Sequence, residues 1–293
     1  MRVFVTGASG WVGSAVVPEL LAAGHEVLGL ARSDASALKL EAAGASTVRG
    51  GLDDLKVLQD AARSADAVVH LAFRHDFSDF AAAVAGDAEA VAAFGEVLKG
   101  TGKAFVVTSG TPPVPGRRAT EQDKAAPDTM AAGREAVSDA ALALAREGVR
   151  VSVVRLPRSV HGDGDSHGFV ARLAGIAVEN GVAGYVADGS ARWPAVHVRD
   201  AAHLYRLAVE SAPAGSVLHA VGDVGLPLRE IAEALGRSLG LPAGPVDAGS
   251  LGFLGGLASI DQPATAALTH SVLGWEPRHP GLIADIDAGF YRS

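Results

Sequence analysis

Three glycines near the start of the sequence stand at a spacing that suits dinucleotide binding. Gly7, Gly10 and Gly13 follow a short apolar run at residues 3–5 and precede a helical pattern over residues 11–23. Such glycines permit a sharp turn from strand to helix, close approach of a pyrophosphate, and tight packing of the helix on its strand. The helix start offers unpaired N–H groups and a positive dipole end to phosphates. The stretch therefore predicts a dinucleotide-binding turn rather than an ordinary tight turn.

The residues after the second predicted strand, 26–31, indicate which dinucleotide is bound. An Asp or Glu there suits the ribose 2′-hydroxyl of NAD, whereas an Arg suits the 2′-phosphate of NADP. The sequence has Arg32 followed by Ser33, a guanidinium and a hydroxyl that can both hold a phosphate. Asp34 could serve a ribose, but it lies beyond the expected strand end. We expect NADP(H), with a solvated loop arginine as the alternative.

Composition excludes several classes of function. The 293 residues carry 25 basic and 33 acidic side chains, a formal charge of −8, with no basic cluster that could bind nucleic acid. The sequence lacks cysteine, which excludes disulfides and thiolate chemistry. No apolar run reaches the roughly 18 residues of a membrane span. We expect a cytoplasmic protein that acts on a small-molecule substrate, without membrane or nucleic-acid partners.

Strands and helices must alternate if these residues are to share one site. Short, buried-type apolar runs are expected to form strands at residues 3–5, 26–31, 46–49, 67–72, 104–109, 148–157 and 216–221. Helical stretches lie between them at residues 35–43, 55–64, 77–99 and 130–146. Strands linked in this way by helices predict a parallel sheet.

Residues 6–13, Thr-Gly-Ala-Ser-Gly-Trp-Val-Gly, resemble the T-G-x-x-G-x-x-G signature of short-chain dehydrogenases/reductases, particularly the extended and atypical members. Those members include nucleotide-sugar epimerases and 3β-hydroxysteroid dehydrogenase-like proteins. The resemblance continues to Leu-Gly-Trp-Glu-Pro at 273–277. It implies an α/β fold: a Rossmann-type doubly wound parallel sheet with a small C-terminal substrate lobe. The cofactor domain is expected over 1–160, with 190–222 returning to it, and the lobe over 161–189 and 223–293.

The resemblance also implies which residues contact the cofactor. Leu52 and Asp53 would flank the adenine, and Pro157 would lie near the nicotinamide. His70 stands in an element like the family's V-x-H-x-A and is expected to be structural, while His75 stands where cofactor meets substrate and is expected to be a solvated loop residue. The whole expected set is Thr6, Gly7, Ser9, Gly10, Trp11, Val12, Gly13, Arg32, Ser33, Leu52, Asp53, Leu71, Ala72, Phe73 and Pro157.

The catalytic pair of the family is missing. A tyrosine and a lysine four residues apart share one helix face, and the ammonium lowers the pKa of the phenol. In this sequence the aligned places hold Ala131 and Glu135, and Gly110 stands where the family has its serine. The tyrosines occur only at 185, 205 and 291. Proton transfer must therefore use other groups if the protein is an enzyme.

Four residues are the catalytic candidates. Ser109 and Thr111 flank the place of the family's serine, His161 belongs to a polar loop after the sixth strand, and Tyr185 is the one phenol that could replace the missing acid. The His and Asp residues at 161, 163, 165 and 167 alternate in a way that a metal could use. Alternation alone is weak evidence, and we predict no metal site.

Three functions remain open. The first is an NADP(H)-dependent oxidoreductase acting on a small carbonyl, imine or alcohol without the Tyr-Lys pair. The second is a non-catalytic NADP-binding sensor of the NmrA-like kind. An epimerase or dehydratase is disfavoured because those reactions also use the missing pair.

Two further expectations concern contacts outside the cofactor turn. Arg192 and Trp193 are expected to touch a ligand, whereas His197 and Asp200 are expected to be structural, with Asp200 capping the next helix. The family often pairs through the helices expected at 77–99 and 130–146. A homodimer is therefore plausible.

Overall fold

The computed structural model describes residues 1–74 and 79–292, and His75 lies outside the described residues. Its strands are β1 (Arg2–Thr6), β2 (Glu26–Ala31), β3 (Ser46–Arg49), β4 (Ala67–His70), β5 (Ala104–Gly110), β6 (Arg150–Leu156), β7 (Ser159–His161), β8 (Ala183–Val186), β9 (Arg192–His197), β10 (Ser216–His219), β11 (Asp223–Pro227) and β12 (Ala243–Val246). Its α-helices are α1 (Gly13–Ala22), α2 (Asp34–Ala42), α3 (Leu55–Ser64), α4 (Phe80–Leu98), α5 (Ala132–Ala143), α6 (Phe169–Asn180), α7 (Val198–Ser211), α8 (Leu228–Leu239), α9 (Leu254–Ala258), α10 (Ala267–Leu273) and α11 (Leu282–Asp287).

Seven strands form one parallel sheet in the order β10-β6-β5-β4-β1-β2-β3. The strand order reverses at the β1–β4 pair, and ligands of such sheets bind at this switch point, outside the carboxyl ends of the strands. The register pairs Thr6 with His70 and Ser109 with Arg155, so these four residues lie at that edge.

Helices cover both faces of the sheet. On one face, Val16 and Leu20 of α1 pack with Leu204 of α7 in a buried cluster. On the other, Phe94 of α4 and Val137 of α5 join a second cluster that also includes residues of α3. Side chains alternate between the two faces of the sheet along each strand. Polar residues at the ends of β1, β4 and β5 whose side chains point toward the second cluster therefore also face α4 and α5.

The C-terminal half adds a smaller lobe with its own core. Strands β11, β9 and β7 form a three-stranded sheet, and β12 pairs in parallel with β8. Fully buried Trp193, Ile231 and Leu282 belong to a third cluster built from α6, α8, α11 and β9. In the described part of the chain, no helix is both long and apolar enough to cross a bilayer.

The predicted Rossmann-type fold is confirmed, with small differences at helix ends. The helix expected from residue 11 begins at Gly13, since residues 7–12 form the turn itself. The helix expected over 130–146 is α5, which tightens into a 3-10 turn over Leu144–Glu147. Helix α4 is described from Phe80.

The prediction that Asp200 caps α7 is wrong. His197 takes that place, and its Nδ1 accepts the N–H of Arg199 at 3.2 Å. Asp200 lies inside the first turn, where its buried carboxylate accepts the N–H groups of Arg278 and His279 at 3.0 Å each. Asp200 is therefore structural, as expected, but it anchors the C-terminal segment.

Candidate active site

The glycine turn between β1 and α1 has room only for glycine at two positions. Gly7 has φ +67°, and a Cβ there would lie 2.7 Å from the backbone N of Ala72 on the neighbouring strand end. A Cβ on Gly13 would lie 2.2 Å from the carbonyl oxygen of Gly7. The Gly10 N–H donates to that same carbonyl at 3.0 Å. The turn thus keeps bare backbone at the switch point, which fits the pyrophosphate of a dinucleotide.

The other predicted contacts of the turn lie around it. The Ser9 carbonyl accepts a hydrogen bond from Lys39 Nζ at 3.2 Å. Trp11 donates its indole N–H to the carbonyl of Val160 at 2.8 Å, which fixes the segment after β6 against the turn. The Val12 carbonyl accepts the first N–H groups of α1. The turn is therefore held on both flanks by parts of the chain far from it in sequence.

The ends of β2 and β3 form a positively charged corner. Arg32 is exposed, and Ser33 Oγ caps α2 by accepting the Ser36 N–H at 3.2 Å. Arg49, at the end of β3, pairs with exposed Asp34 at 3.2 Å. Asp34 is thus occupied by a neighbouring cation. With Lys39 on α2, this corner holds three cations and one carboxylate, a charge pattern that suits an added phosphate.

The predicted adenine residues lie at the next strand connection. Leu52 is partly buried against the second core cluster, and the Asp53 carboxylate forms an ion pair with the guanidinium of Arg74. Both charged side chains are largely exposed, so the pair contributes little to stability. The pair does link the loop after β3 with the loop after β4.

A buried polar chain starts beneath the glycine turn. The Ala72 N–H donates to Thr6 Oγ1 at 3.2 Å, and the Thr6 hydroxyl lies 2.7 Å from His70 Nδ1. His70 Nε2 lies 3.0 Å from Asp87 Oδ1 on α4. Since the carboxylate can only accept, the Nε2–H of His70 donates to it and Nδ1 accepts from Thr6. His70 is therefore structural, as predicted, and it holds the strand ends that form the turn.

Arg134 completes this chain from α5. Its Nη1 donates to Asp87 Oδ2 at 2.9 Å and its Nη2 to the carbonyl of Thr108 at 2.6 Å. The guanidinium lies 4.1 Å from the ring centroid of Phe73, a predicted cofactor residue. Leu71, just before that loop, donates its N–H to the Thr6 carbonyl at 3.3 Å. A fixed cation thus stands beside the expected cofactor loop.

The end of β5 brings two predicted hydroxyls together around an exposed glycine. Ser109 is 6% exposed, and its Oγ has no hydrogen-bond partner in the described part of the chain, although it is not fully enclosed. The Thr111 N–H donates to the Leu156 carbonyl at 2.9 Å, and Thr111 Oγ1 lies 3.4 Å from Gln262 Nε2. Gly110 is exposed, and a Cβ there would lie 4.0 Å from the Leu156 carbonyl oxygen.

The helix that should carry the Tyr-Lys pair has another buried pair. Glu135 Oε1 accepts from Arg155 Nη2 at 2.7 Å, and both side chains are nearly inaccessible to solvent. Glu135 is thus directed to β6. Tyr205 is fully buried 2.8 Å from Thr108 Oγ1, and Tyr291 is buried 3.3 Å from Asp165.

His161 and Tyr185 lie apart from the hydroxyl pair. The Nδ1–H of His161 donates to Asp285 Oδ2 at 2.6 Å, its Nε2 is enclosed without a partner, and burial lowers its pKa to about 4. Tyr185 is half-buried in the lobe strand β8 with the Arg229 guanidinium 5.3 Å from its ring centroid. Ser109 and Thr111 thus lie at the end of β5, whereas His161 belongs to β7 and Tyr185 to β8.

The two expected ligand contacts on β9 are engaged in the lobe. Trp193 is completely buried, and its indole N–H donates to the Leu257 carbonyl at 3.4 Å. Arg192 forms a two-bond ion pair with Asp261, at 2.9 and 2.8 Å. The expectation of ligand contact is therefore wrong for Trp193, because the lobe core encloses it, whereas for partly exposed Arg192 it stays a prediction.

Sequence reasoning missed the role of Arg134 and of Arg158, which directly follows Pro157. A signal for Arg134 was present: it is the only basic residue between residues 125 and 145 of an alanine-rich stretch. The partners of Arg134 come from α4 and β5, which no local pattern connects to it.

These features define a Rossmann-type α/β protein with a glycine turn at the switch point of its parallel sheet. Residues 3–220 match the NAD dependent epimerase/dehydratase family, and the chain belongs to that family, within the extended short-chain dehydrogenases/reductases.

Comparison with known proteins agrees with this assignment. A protein of Schizosaccharomyces pombe described as uncharacterized is 42% identical over 99% of this chain and 100% of its own length. The 2-alkyl-3-oxoalkanoate reductase of Stenotrophomonas maltophilia is 30% identical over 83% of this chain and 77% of that enzyme. The UDP-glucose 4-epimerase of Thermus thermophilus, solved in complex with NAD, has a TM-score of 0.78 at 22% identity, over 100% of this chain and 98% of that one, which shows the shared fold.

Proposed function

We propose that this chain is an NADP(H)-dependent oxidoreductase that acts on a small carbonyl, imine or alcohol. The observation that carries the proposal is the glycine turn at the switch point, where a Cβ on Gly7 or Gly13 would strike backbone. The related structure contains NAD, and the bacterial relative is named a reductase of 2-alkyl-3-oxoalkanoates. The first supports a nicotinamide cofactor, and the second supports a reduction. The chemistry that a bound nicotinamide supplies is hydride transfer.

The preference for NADP(H) follows from the charged corner. Arg32 and Ser33 would hold the 2′-phosphate, and we add Lys39 and Arg49 to this set because they bring two further cations to the same corner. Asp34, the one group there that could favour a ribose hydroxyl, is already paired with Arg49. A phosphate dianion is therefore better accommodated than a free hydroxyl.

We assign the proton step to Ser109 and Thr111. Both residues lie at the carboxyl end of β5, on either side of exposed Gly110, where each would donate a hydrogen bond to the oxygen of a bound substrate. His161 is unprotonated near neutral pH because burial lowers its pKa to about 4, and Tyr185 lies on the lobe strand β8. His161 and Tyr185 are therefore weaker candidates for the proton donor.

The division of the chain follows from the same reasoning. Residues 1–160 with 190–222 would form the cofactor unit, and residues 161–189 with 223–293 the substrate lobe. Strand β10 lies in the seven-stranded sheet, and the third core cluster draws on α6, α8 and α11. These observations support the return of β10 to the cofactor unit and the lobe at α6, α8 and α11, whereas Trp193 of β9 packs in the lobe core and Trp275 in the first core cluster.

A second copy of the chain is the partner that the surface favours. A groove of about 670 Å³ runs between α4 and α5, and its lining is mostly alanine and glycine. Small side chains let helices of two subunits approach closely. We therefore infer a homodimer through these helices.

One observation favours a different function, a non-catalytic NADP-binding sensor. None of the three tyrosines lies on α5, and the aligned Glu135 is engaged by Arg155. A sensor would bind NADPH without oxidising it.

The test is a turnover screen of purified protein with NADPH and a panel of ketones, aldehydes and imines, following NADPH oxidation. We expect Ser109→Ala with Thr111→Val to lower kcat by about 100-fold, the range of a lost proton-transfer group. Ser211→Ala is the matched control, since this serine is exposed and bonds only to the Leu207 carbonyl. Tight NADPH binding without oxidation of NADPH by any compound would favour the sensor.

A further inference from the structure

Arg158 lies where the sheet meets the lobe. It follows β6 at the carboxyl edge of the sheet, next to Pro157, the residue predicted to lie near the nicotinamide. Its Nη2 donates to Gln262 Oε1, and Gln262 Nε2 in turn donates to the Thr111 carbonyl. One amide side chain therefore separates the guanidinium from the hydroxyl pair of the proposed active site.

The guanidinium has no carboxylate partner among residues 1–74 and 79–292, which the structure describes. Gln262 is its one hydrogen-bond acceptor among the described residues, so most of its five N–H donors are unused. Trp193 lies on one side, with its ring centroid 5.5 Å from Cζ. This largely desolvated environment lowers the pKa of Arg158 to about 10, which still leaves it charged at neutral pH.

An unpaired, partly buried cation is costly to fold. Removing a guanidinium from water without an opposing charge is unfavourable, and structures normally supply a carboxylate. Here Asp261, the residue before Gln262, is engaged by both Nε and Nη2 of Arg192. Within the described part of the chain, no carboxylate therefore compensates the positive charge of Arg158 beside the proposed reacting centre.

We propose that Arg158 binds a carboxylate of the substrate, so that the protein acts on oxo acids or hydroxy acids rather than on neutral ketones. This inference rests on the proposed function, because it names the substrate class of the same site. The guanidinium fork matches a carboxylate in geometry, and Gln262 and Trp193 hold it in one orientation.

The single positive charge of Arg158 favours a carboxylate over a phosphate as the anionic group of the substrate. A second arginine, Arg192, directly precedes Trp193 in sequence, and Asp261 neutralises its charge. One guanidinium balances one carboxylate, whereas a phosphate dianion or diphosphate calls for more than one cation. A phosphorylated ketone is therefore the second arm of the test.

The experiment measures ligand binding by calorimetry and by the rise in melting temperature, with the NADP⁺-saturated protein. The probes are a series of 2-oxo and 3-oxo carboxylates of increasing chain length, their methyl esters, and dihydroxyacetone phosphate. The variants are Arg158→Gln, Arg158→Lys and the control Arg237→Gln, an exposed arginine on α8. NADPH affinity is measured for every variant.

We expect the wild type to bind at least one carboxylate more tightly than its ester, with affinity about 10- to 100-fold lower in Arg158→Gln. Arg158→Lys should recover part of the loss, and Arg237→Gln should behave as wild type. Equal binding by wild type and Arg158→Gln, preference for the ester or the phosphate, or no binding of any probe would overturn the proposal. A wild-type protein that does not bind NADPH would instead overturn the proposed function.

Discussion

Arg134 Nη1 lies 2.9 Å from Asp87 Oδ2, and this contact joins α5 to the buried chain beneath the glycine turn. Asp87 is 2% exposed and His70 is 1% exposed, so neither the Asp87 carboxylate nor the His70 imidazole can form a hydrogen bond with bulk water instead. The cation on α5 therefore helps to fix the strand ends at which the cofactor would bind.

Removing that cation should destabilise the fold and weaken cofactor binding together. We expect Arg134→Met to lower the free energy of unfolding by about 3 kcal/mol, because it leaves a buried carboxylate without its ion pair. Asp87→Asn in the same chain should recover part of this loss, as measured by urea denaturation of both single variants and the double variant. Lys124→Met breaks an exposed pair and should cost about 0.5 kcal/mol at most. Equal losses for the arginine and lysine variants would contradict a structural role for the Arg134–Asp87 pair.

Stability should fall in mild acid because of two buried histidines. The Nδ1–H of His161 donates to Asp285, and that of His219 donates to the Thr265 carbonyl. In both residues Nε2 is buried without a hydrogen-bond partner, and burial lowers the pKa to about 4. The unfolded chain, with a histidine pKa of 6.5, takes up protons first, so the contribution to stability is full above pH 6.5 and is lost as the pH falls toward about 4.

Urea denaturation at pH 7 and near pH 5 measures this effect. Replacement of His161 by Gln should flatten the dependence of the unfolding free energy on pH, whereas His270→Gln, at an exposed site on α10, should leave it unchanged. The same slope in all three proteins would contradict the pKa assigned to His161.

The glycine turn should not tolerate a methyl group. Gly13→Ala places a Cβ 2.2 Å from the Gly7 carbonyl oxygen, and we expect a loss of about 3 kcal/mol together with loss of NADPH binding. Gly175→Ala is the matched control, because its Cβ meets open space on α6, where alanine should stabilise by about 0.5–1 kcal/mol. Thermal and urea unfolding of both variants give the comparison, and a fully stable Gly13→Ala would contradict the tight turn.

The groove between α4 and α5 should be covered in solution. Ala88 lines it and is exposed, so Ala88→Arg should convert a homodimer to monomers by filling the groove with a charge. Glu89→Arg places the same side chain on the neighbouring position, which does not line the groove, and should leave the dimer intact. Light scattering coupled to size-exclusion chromatography reports the mass. A monomeric wild type would contradict the dimer.

The sequence predicts the fold well because local patterns determine it. Glycine spacing and buried-type strands specify the turn at Gly7 and the parallel sheet, and both are present. The charged corner at Arg32 could also be read locally, since the end of a strand adjoins the start of the next helix. Its further cation Arg49 is contributed by the next strand, and only the register of β2 with β3 brings the two together.

The active site is less predictable because its contacts are long-range. Arg134 meets Asp87 from another helix, and Arg158 meets Gln262 from a segment more than 100 residues away. Trp193 had the residue type of a ligand contact, but the lobe core buries it completely. Tertiary packing therefore decides which polar side chains are open to a substrate.

The most direct test of the central claim compares NADPH with NADH for the wild type and Arg32→Ala. We expect the wild type to bind NADPH more tightly than NADH, and Arg32→Ala to lose about 10- to 100-fold in NADPH affinity with little change for NADH, since only the 2′-phosphate contact is removed. Arg146→Ala, at an exposed position before β6 on the opposite edge of the sheet, is the control and should bind both as wild type does. Equal affinity of the wild type for the two cofactors, or no binding of either, would contradict an NADP(H)-dependent oxidoreductase.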